Sequence, residues 1–275
     1  MSLFVASLNS GSNGNCYYIG NQNEAILIDA GISCRETERR LRRLGLSLGN
    51  VKAIFVTHEH SDHVHGIPSI HKKFKIPVYI TTRTLLKAQL TKAEAYNFKA
   101  YEAISIRDLS IQAFPILHDA TDPHNFIISN KGVNVGIFTD IGDVTDHVIR
   151  NFKQCHAAFL ESNYDDELLE TGRYPIALKN RIRGGYGHLS NVQAGKLFTD
   201  HKPHFMSHLF LGHLSRNNNS PRIVQNLFES ISGTTEIVVA SRYKETKLFS
   251  IQAPSGSQSP SFYSGVEFPV QLELF

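Results

Sequence analysis

The chain has 275 residues, and 28 Lys+Arg against 25 Asp+Glu leave a net charge of +3, so it is only mildly basic. With 41% hydrophobic residues it can fill a substantial core as one large domain or two small ones, which excludes general disorder and a disulfide-held miniature scaffold. Apolar runs such as 53–56 and 237–240 fall far below the ~20 residues that cross a bilayer, and the Met1-Ser-Leu-Phe start lacks the basic and apolar regions of a signal peptide, so a cytoplasmic protein with no membrane span is expected.

Strand-like segments open the chain at 3–8, 15–20 and 24–29, separated by the Gly/Asn turns 11–14 and 20–23, and read as a β-meander. Ser33 followed by Glu36 predicts a capping box, and the helix it opens sets Leu41 and Leu44 on one face before Gly45 stops it. Its outer face is predicted to carry Arg35, Arg39, Arg40, Arg42 and Arg43. Short apolar strands then alternate with helices: a strand at 51–56, a helix at 67–74, a strand at 78–80, a helix at 84–90 and paired strands between 104 and 114. Strands at 126–129 and 133–138 flank the turn Asn130-Lys131-Gly132.

The second half keeps this texture, with helices predicted at 143–152, 165–169, 175–182, 190–200 and 220–229. Strands fall at 157–160, 205–211, 236–240 and 247–251. Hairpins mixed with helices imply an α/β (α+β) fold with mixed sheets, not a doubly wound parallel sheet. From Gln252 the composition turns to Pro, Ser and Gly, so residues 1–251 are expected to form the core domain and 252–275 a flexible linker with a terminal peptide.

Cys16, Cys34 and Cys155 are scattered, with no C-x-x-C spacing, and read as small buried apolar residues. Histidine is the compositional outlier, 14 in the chain, and its placement is informative. Directly after the apolar strand 53–56 comes Thr57-His58-Glu59-His60-Ser61-Asp62-His63, a strand-to-helix loop dense in imidazole and carboxylate. Such donors suit zinc or a similar divalent ion, and a loop this polar between buried elements would be costly without a partner. Further candidate ligands follow apolar strands in the same way: His118, Asp140 and His213. Strand ends converge on one rim of a sheet, where Asp140 as a bridging carboxylate could hold two cations ~3.5–4 Å apart, as hydrolysis requires.

The motif His58-x-His60-x-Asp62-His63, preceded by Leu27-Ile-Asp29-Ala-Gly31 and followed by single His, Asp and His ligands, resembles the metallo-β-lactamase fold superfamily of binuclear hydrolases. The resemblance implies a four-layer αββα sandwich. It also implies one metal on His58, His60 and His118, another on Asp62, His63 and His213, and Asp140 between them. Asp29 either matches the family carboxylate that orients a ligand or merely opens a turn.

Gly187-His188-Leu-Ser190-Asn191 and Gly212-His213-Leu-Ser215-Arg216 resemble paired motifs of the phosphodiesterase branch, which includes tRNA 3′ endonucleases. There the non-ligand His, here His188, contacts the scissile phosphate or protonates the leaving oxygen. Ser190 and Asn191 are candidate phosphate donors, with ordinary helix capping by Ser190 the alternative. Lys179, Arg181 and Arg183 either contact a DNA backbone or form a solvated helix face. Gly14-Asn15-Cys16, Leu160-Glu161-Ser162-Asn163 and Gly172-Arg173-Tyr174-Pro175 narrow the resemblance to the YycJ/WalJ-like branch, associated with 5′-to-3′ exonuclease action on duplex DNA and with mismatch repair. Only 21 residues separate His118 from Asp140, too few for the arm that tRNA 3′ endonucleases insert there. The 72 residues between Asp140 and His213 are too few for the accessory domain of β-CASP nucleases.

The final Gln271-Leu272-Glu273-Leu274-Phe275 resembles the peptide with which bacterial repair proteins dock into the sliding clamp; the other reading is a terminal strand over 266–275. The expectation is therefore a phosphodiesterase acting on DNA with two divalent cations, zinc or manganese. In it Asp62 orients or deprotonates the attacking water and His188 serves the leaving group. The alternatives are an RNA endonuclease, a hydrolase of lactones or thioesters, and a non-catalytic clamp-tethered adaptor.

Overall fold

In the computed structural model, which describes residues 2–90 and 95–253, the opening meander is β1 (Ser2–Asn9), β2 (Cys16–Gly20) and β3 (Ala25–Ile28), paired antiparallel. Helix α1 (Cys34–Arg43) leads to β4 (Val51–Phe55). The short α2 (Ser61–Val64) and α3 (Ile67–Phe74) lead to β5 (Val78–Tyr79), and α4 (Thr82–Lys87) to β6 (Ala95–Tyr96). From β3 to β6 every neighbouring pair is parallel.

The plan then repeats. An antiparallel run of β7 (Ala103–Ile106), β8 (Leu109–Pro115), β9 (His124–Asn130) and β10 (Val133–Phe138) precedes α5 (Asp146–Phe152) and β11 (Ala157–Glu161). Next come α6 (Asp166–Thr171), α7 (Ile176–Arg183), α8 (Asn191–His201), β12 (His208–Gly212), α9 (Pro221–Ile231) and β13 (Glu236–Val239). Strands β10 to β13 are parallel, and β14 (Phe249–Gln252) returns to pair with β1. Two mixed seven-stranded sheets result, in the orders β14-β1-β2-β3-β4-β5-β6 and β13-β12-β11-β10-β9-β8-β7.

Period-two alternation decides which side chains meet. Val5, Tyr17, Ile28 and Phe55 of one sheet pack between the sheets against Ile111, Phe126, Ile137, Phe159 and Phe210 of the other. Their neighbours point outward: Leu27 and Ile54 pack among Leu41 and Ile70 of α1 and α3, while Phe138, Leu160 and Leu211 join Val148, Phe198 and Phe228 of α5, α8 and α9. Helix, sheet, sheet, helix is the four-layer arrangement expected.

Local chemistry accounts for the boundaries. Lys131 and Gly132 both have positive φ (45° and 85°), the primed geometry that closes a two-residue hairpin between β9 and β10. Thr81 and Thr145 cap α4 and α5 through their side chains, so α4 begins before and α5 after the predicted positions. At α1 only half of the expected capping box forms. Ser33 accepts from Glu36 N, but the Glu36 carboxylate is drawn to Arg39 (2.7 Å) and Arg40 (2.5 Å). Arg40 is also not on the outer face. It is buried and donates to Leu8 O and Asn9 Oδ1, tying α1 to the end of β1. The three cysteines are free and buried. Gln252, expected to open the linker, is instead the last residue of β14 and pairs with Ser2; the rest of the linker from 254 and the clamp-like peptide at 271–275 lie outside the described residues. Among the described residues no helix is long and apolar enough to cross a membrane.

Candidate metal centre

The chain turns at the carboxyl ends of β3, β4, β10, β11 and β12, and the side chains at these turns meet on one rim. Three turns hold a non-glycine residue in the left-handed region: Asp29 (φ 58°), Asp140 (φ 56°) and His213 (φ 54°). Such backbone costs of order 1–3 kcal/mol per residue and collects at functional sites, where surrounding contacts hold it.

Asp29 both lies in a turn and fixes a candidate ligand, His63. Oδ1 accepts from Thr57 N and Oδ2 from Thr57 Oγ1, both at 2.9 Å, and Oδ2 also accepts from Nδ1 of His63 at 2.7 Å. That leaves Nε2 of His63 facing Asp140 Oδ2 at 3.3 Å and Asp62 Oδ2 at 3.6 Å. His118 is fixed likewise, its Nδ1 donating to Gly187 O at 3.1 Å.

Donor atoms of His58, His60 and His118 lie within 4.8 Å of one another, and so do those of Asp62, His63 and His213. Asp140 sits between the two groups, with Oδ1 3.8 Å from His118 Nε2 and 3.5 Å from His213 Nδ1. The tertiary structure thus brings together all seven side chains singled out by the sequence. Whether the group fits metal ions is tested by what these atoms lack. Nε2 of His118 and Nε2 of His213 are buried with no hydrogen-bond partner. Orphaned buried nitrogens are rare because each forfeits its hydration. Two of them converging beside carboxylates fit divalent cations held by imidazole and carboxylate donors.

Electrostatics agree. Burial, with the neighbouring imidazoles, pushes His58 well below its ordinary pKa, and burial lowers His118, so both rings are neutral and able to donate a lone pair. At His63 and His213 burial acts in the same direction but is overcome by carboxylates. Asp140, Asp29 and Asp62 raise His63 well above the usual value, and Asp140, Asp62 and Glu161 raise His213 to about 10. Burial also opposes charge on Asp62, yet His63 and His213 hold its carboxyl down at about 2.

One central residue had no role assigned from the sequence. Glu161, fully buried at the end of β11, accepts from Nδ1 of His188 at 2.7 Å and from Nδ1 of His213 at 2.9 Å. Its other oxygen accepts from Ile141 N at 2.8 Å, beside Asp140. A carboxylate directly after an apolar strand is the same signal that marked Asp140, and applied to β11 it points to Glu161. His188 itself lies between the donor groups, its ring 5.3 Å from that of His118 and 5.2 Å from that of His213. Although burial opposes it, Glu161 raises the His188 pKa.

The structure does not turn Ser190 and Asn191 toward a phosphate. Ser190 closes a full capping box with Gln193, and Asn191 is buried against Ser162 and Asn219, so their polar atoms serve to start α8 and seat the His188 segment. Lys179 is also withdrawn, buried and donating to Glu170 O. Arg181 and Arg183 stay exposed, paired with Asp119 and Glu170. His208 faces the inter-sheet aromatics Phe210 and Phe249, away from the rim, as alternation requires. His124 bonds Asp122 O, and His156 is buried and accepts from Asn134 N.

Residues 24–213 match the profile of the β-lactamase superfamily domain. Exodeoxyribonuclease YycJ of Bacillus anthracis is 33% identical over 230 residues, 82% of this chain and 87% of that protein. Exodeoxyribonuclease WalJ of Streptococcus pneumoniae is 29% identical over 77% of this chain and 81% of its own. Among solved structures, the metallo-β-lactamase fold protein YhfI from Bacillus subtilis superposes with a TM-score of 0.72 at 14% identity, covering 91% of this chain and all of that one.

Proposed function

The chain belongs to the metallo-β-lactamase fold superfamily and is a metal-dependent hydrolase, and from that membership we propose that it is a binuclear phosphodiesterase that degrades DNA from a 5′ end, with a role in mismatch repair. The observation that carries the reading is the pair of donor triads with Asp140 between them, in a chain similar over most of its length to two exodeoxyribonucleases. His58, His60 and His118 would hold one cation, Asp62, His63 and His213 the other, and Asp140 both. Zinc suits the imidazole-rich donors, and manganese is the second candidate. Divalent ions supply a water nucleophilic at neutral pH and neutralise charge on phosphoryl oxygens.

The chain's own residues do the rest. Asp62, ionised and partly open to solvent, orients the attacking water or accepts its proton. Glu161 fixes Nδ1 of His188 and shifts the ring toward its protonated form, in which His188 donates to the departing oxygen. Asp29 and Gly187 O hold His63 and His118 in the tautomers that direct Nε2 inward. The protein would work in a bacterial cytoplasm. There Gln271, Leu272, Leu274 and Phe275 would dock on the sliding clamp, the apolar anchors filling pockets and the glutamine making the oriented contact.

End-labelled duplex DNA and RNA, each incubated with Mn²⁺ or Zn²⁺ and with wild type or Asp140→Ala, test the substrate and the site together. Release of labelled mononucleotide from 5′-labelled DNA by wild type alone is expected. Cleavage confined to RNA would overturn the substrate, and an unimpaired Asp140→Ala variant would overturn the site. Removing residues 271–275 should abolish retention on immobilised sliding clamp and leave hydrolysis unchanged.

A further inference from the structure

Tyr186 stands in the turn Gly184-Gly185-Tyr186-Gly187 that delivers His188. Its backbone is held on two sides. Its carbonyl accepts from Asp119 N at 2.9 Å, next to His118, and its Cα packs on Gly142, where an added Cβ would lie 2.5 Å away, two residues from Asp140. Gly187 N bonds Gly184 O at 2.7 Å and His188 N bonds Ile182 O at 2.9 Å, which close the turn over the end of α7. On this fixed backbone Tyr186 is 62% exposed, and among the described residues its ring has no stacking partner. Arg181, paired with Asp119 at 2.5 Å, places a guanidinium on the same side of the rim.

An aromatic ring carried on rigid backbone, left to water beside a phosphodiester site, is a stacking platform for a nucleobase. We infer that Tyr186 stacks on the base next to the scissile phosphate and that the enzyme therefore engages its strand end unpaired; this rests on the DNA phosphodiesterase reading above. A terminal base pair leaves only its outer face open, so the ring reaches the inner face of the end base, the one toward the scissile phosphate, only once the end has frayed. Arg181 then tracks the backbone while Tyr186 sets the position of the base, which makes Tyr186 a positioning residue and leaves the chemistry to the rim.

The experiment compares Tyr186→Ala and Tyr186→Phe with wild type on DNA carrying a single abasic residue at successive positions from the end, and on duplexes with a paired or a mismatched terminal pair. Wild type should show KM raised on the order of ten-fold by one particular abasic position and should favour the mismatched end. Tyr186→Ala should raise KM on intact DNA to a similar degree, leave metal content unchanged and lose the abasic penalty, while Tyr186→Phe behaves as wild type. A wild type that cleaves DNA, with Tyr186→Ala within two-fold of it on every substrate, sinks this inference alone. A wild type that cleaves no DNA sinks the phosphodiesterase reading and this inference with it.

Discussion

Substituting Gly31 by alanine should dismantle half of the metal centre without touching a donor atom. Gly31 lies two residues beyond Asp29 and is wedged against the ligand loop: its N–H bonds Asn15 O, and Asn15 N in turn bonds Asp62 O at 2.6 Å. A Cβ built on Gly31 would stand 1.7 Å from Asp62 O, 2.4 Å from Asp62 C and 2.7 Å from Asn15 N. The nearest of these is about 1.3 Å short of the 3.0 Å below which real Cβ contacts essentially never fall, and the obstacle is backbone, which cannot rotate away. Asp62 and His63 must therefore move together. Overpacking of this kind costs about 1–3 kcal/mol, and the strained Asn15–Asp62 bond adds about 1 kcal/mol. A displacement near 1 Å in reacting groups lowers turnover about a hundred-fold. Urea unfolding and metal analysis of the purified variant measure both effects, expected as a fall of 2–4 kcal/mol, by those two magnitudes, and a metal content reduced toward one ion per chain. Gly49→Ala, whose Cβ would meet only Ser47 Oγ at 3.5 Å, is the control and should be neutral within about 0.5 kcal/mol. A Gly31→Ala protein with full metal content and wild-type stability would refute the claim that this contact places the Asp62–His63 pair.

Other substitutions separate roles within the rim. Glu161→Gln leaves both buried imidazole Nδ1 groups without the charged acceptor they share, so unfolding in urea should show a loss of about 3 kcal/mol and turnover should fall with it; an unchanged midpoint would argue against Glu161 as the common anchor. His188→Ala should keep its metal and slow hydrolysis by about 10²–10⁴ at saturating substrate, and if metal is lost instead, His188 is a ligand. Ser190→Ala should cost about 1 kcal/mol of stability through its cap with KM unchanged, whereas a raised KM would return Ser190 to the phosphate. Metal-free protein carries raised pKa values at His63 and His213, so both hold protons at pH 7. Zinc loading in dilute buffer at pH 7 should therefore release protons, and affinity should climb with pH up to about 10; release of none would contradict the charge assigned to these rings.

Short-range signals carried far in this chain. Ser33, Thr81, Thr145 and Ser190 cap helices through their own side chains, the Lys131-Gly132 turn sets a hairpin, and alternate residues of each strand sort to opposite faces. The six-residue run from His58 to His63 was legible for the same reason, since its donors are neighbours and their clustering needs no fold to be noticed. His118, Asp140 and His213 were legible because each follows an apolar strand, and β8, β10 and β12 run in the same direction and so end on a common rim.

The sequence by itself determined which residues have metal-binding chemistry and which segments become strands and helices, because both follow from side-chain type and spacing over a few residues. Only the tertiary structure decided what each polar group spends itself on. Glu161 finds its partners 27 and 52 residues away, Arg40 leaves the helix surface for carbonyls at the end of β1, and Ser190 and Asn191 turn from a substrate to their own helix and to Asn219. A buried donor or acceptor takes whichever partner the packed layers bring within about 3 Å, and that distance exists only after the two sheets have closed on each other.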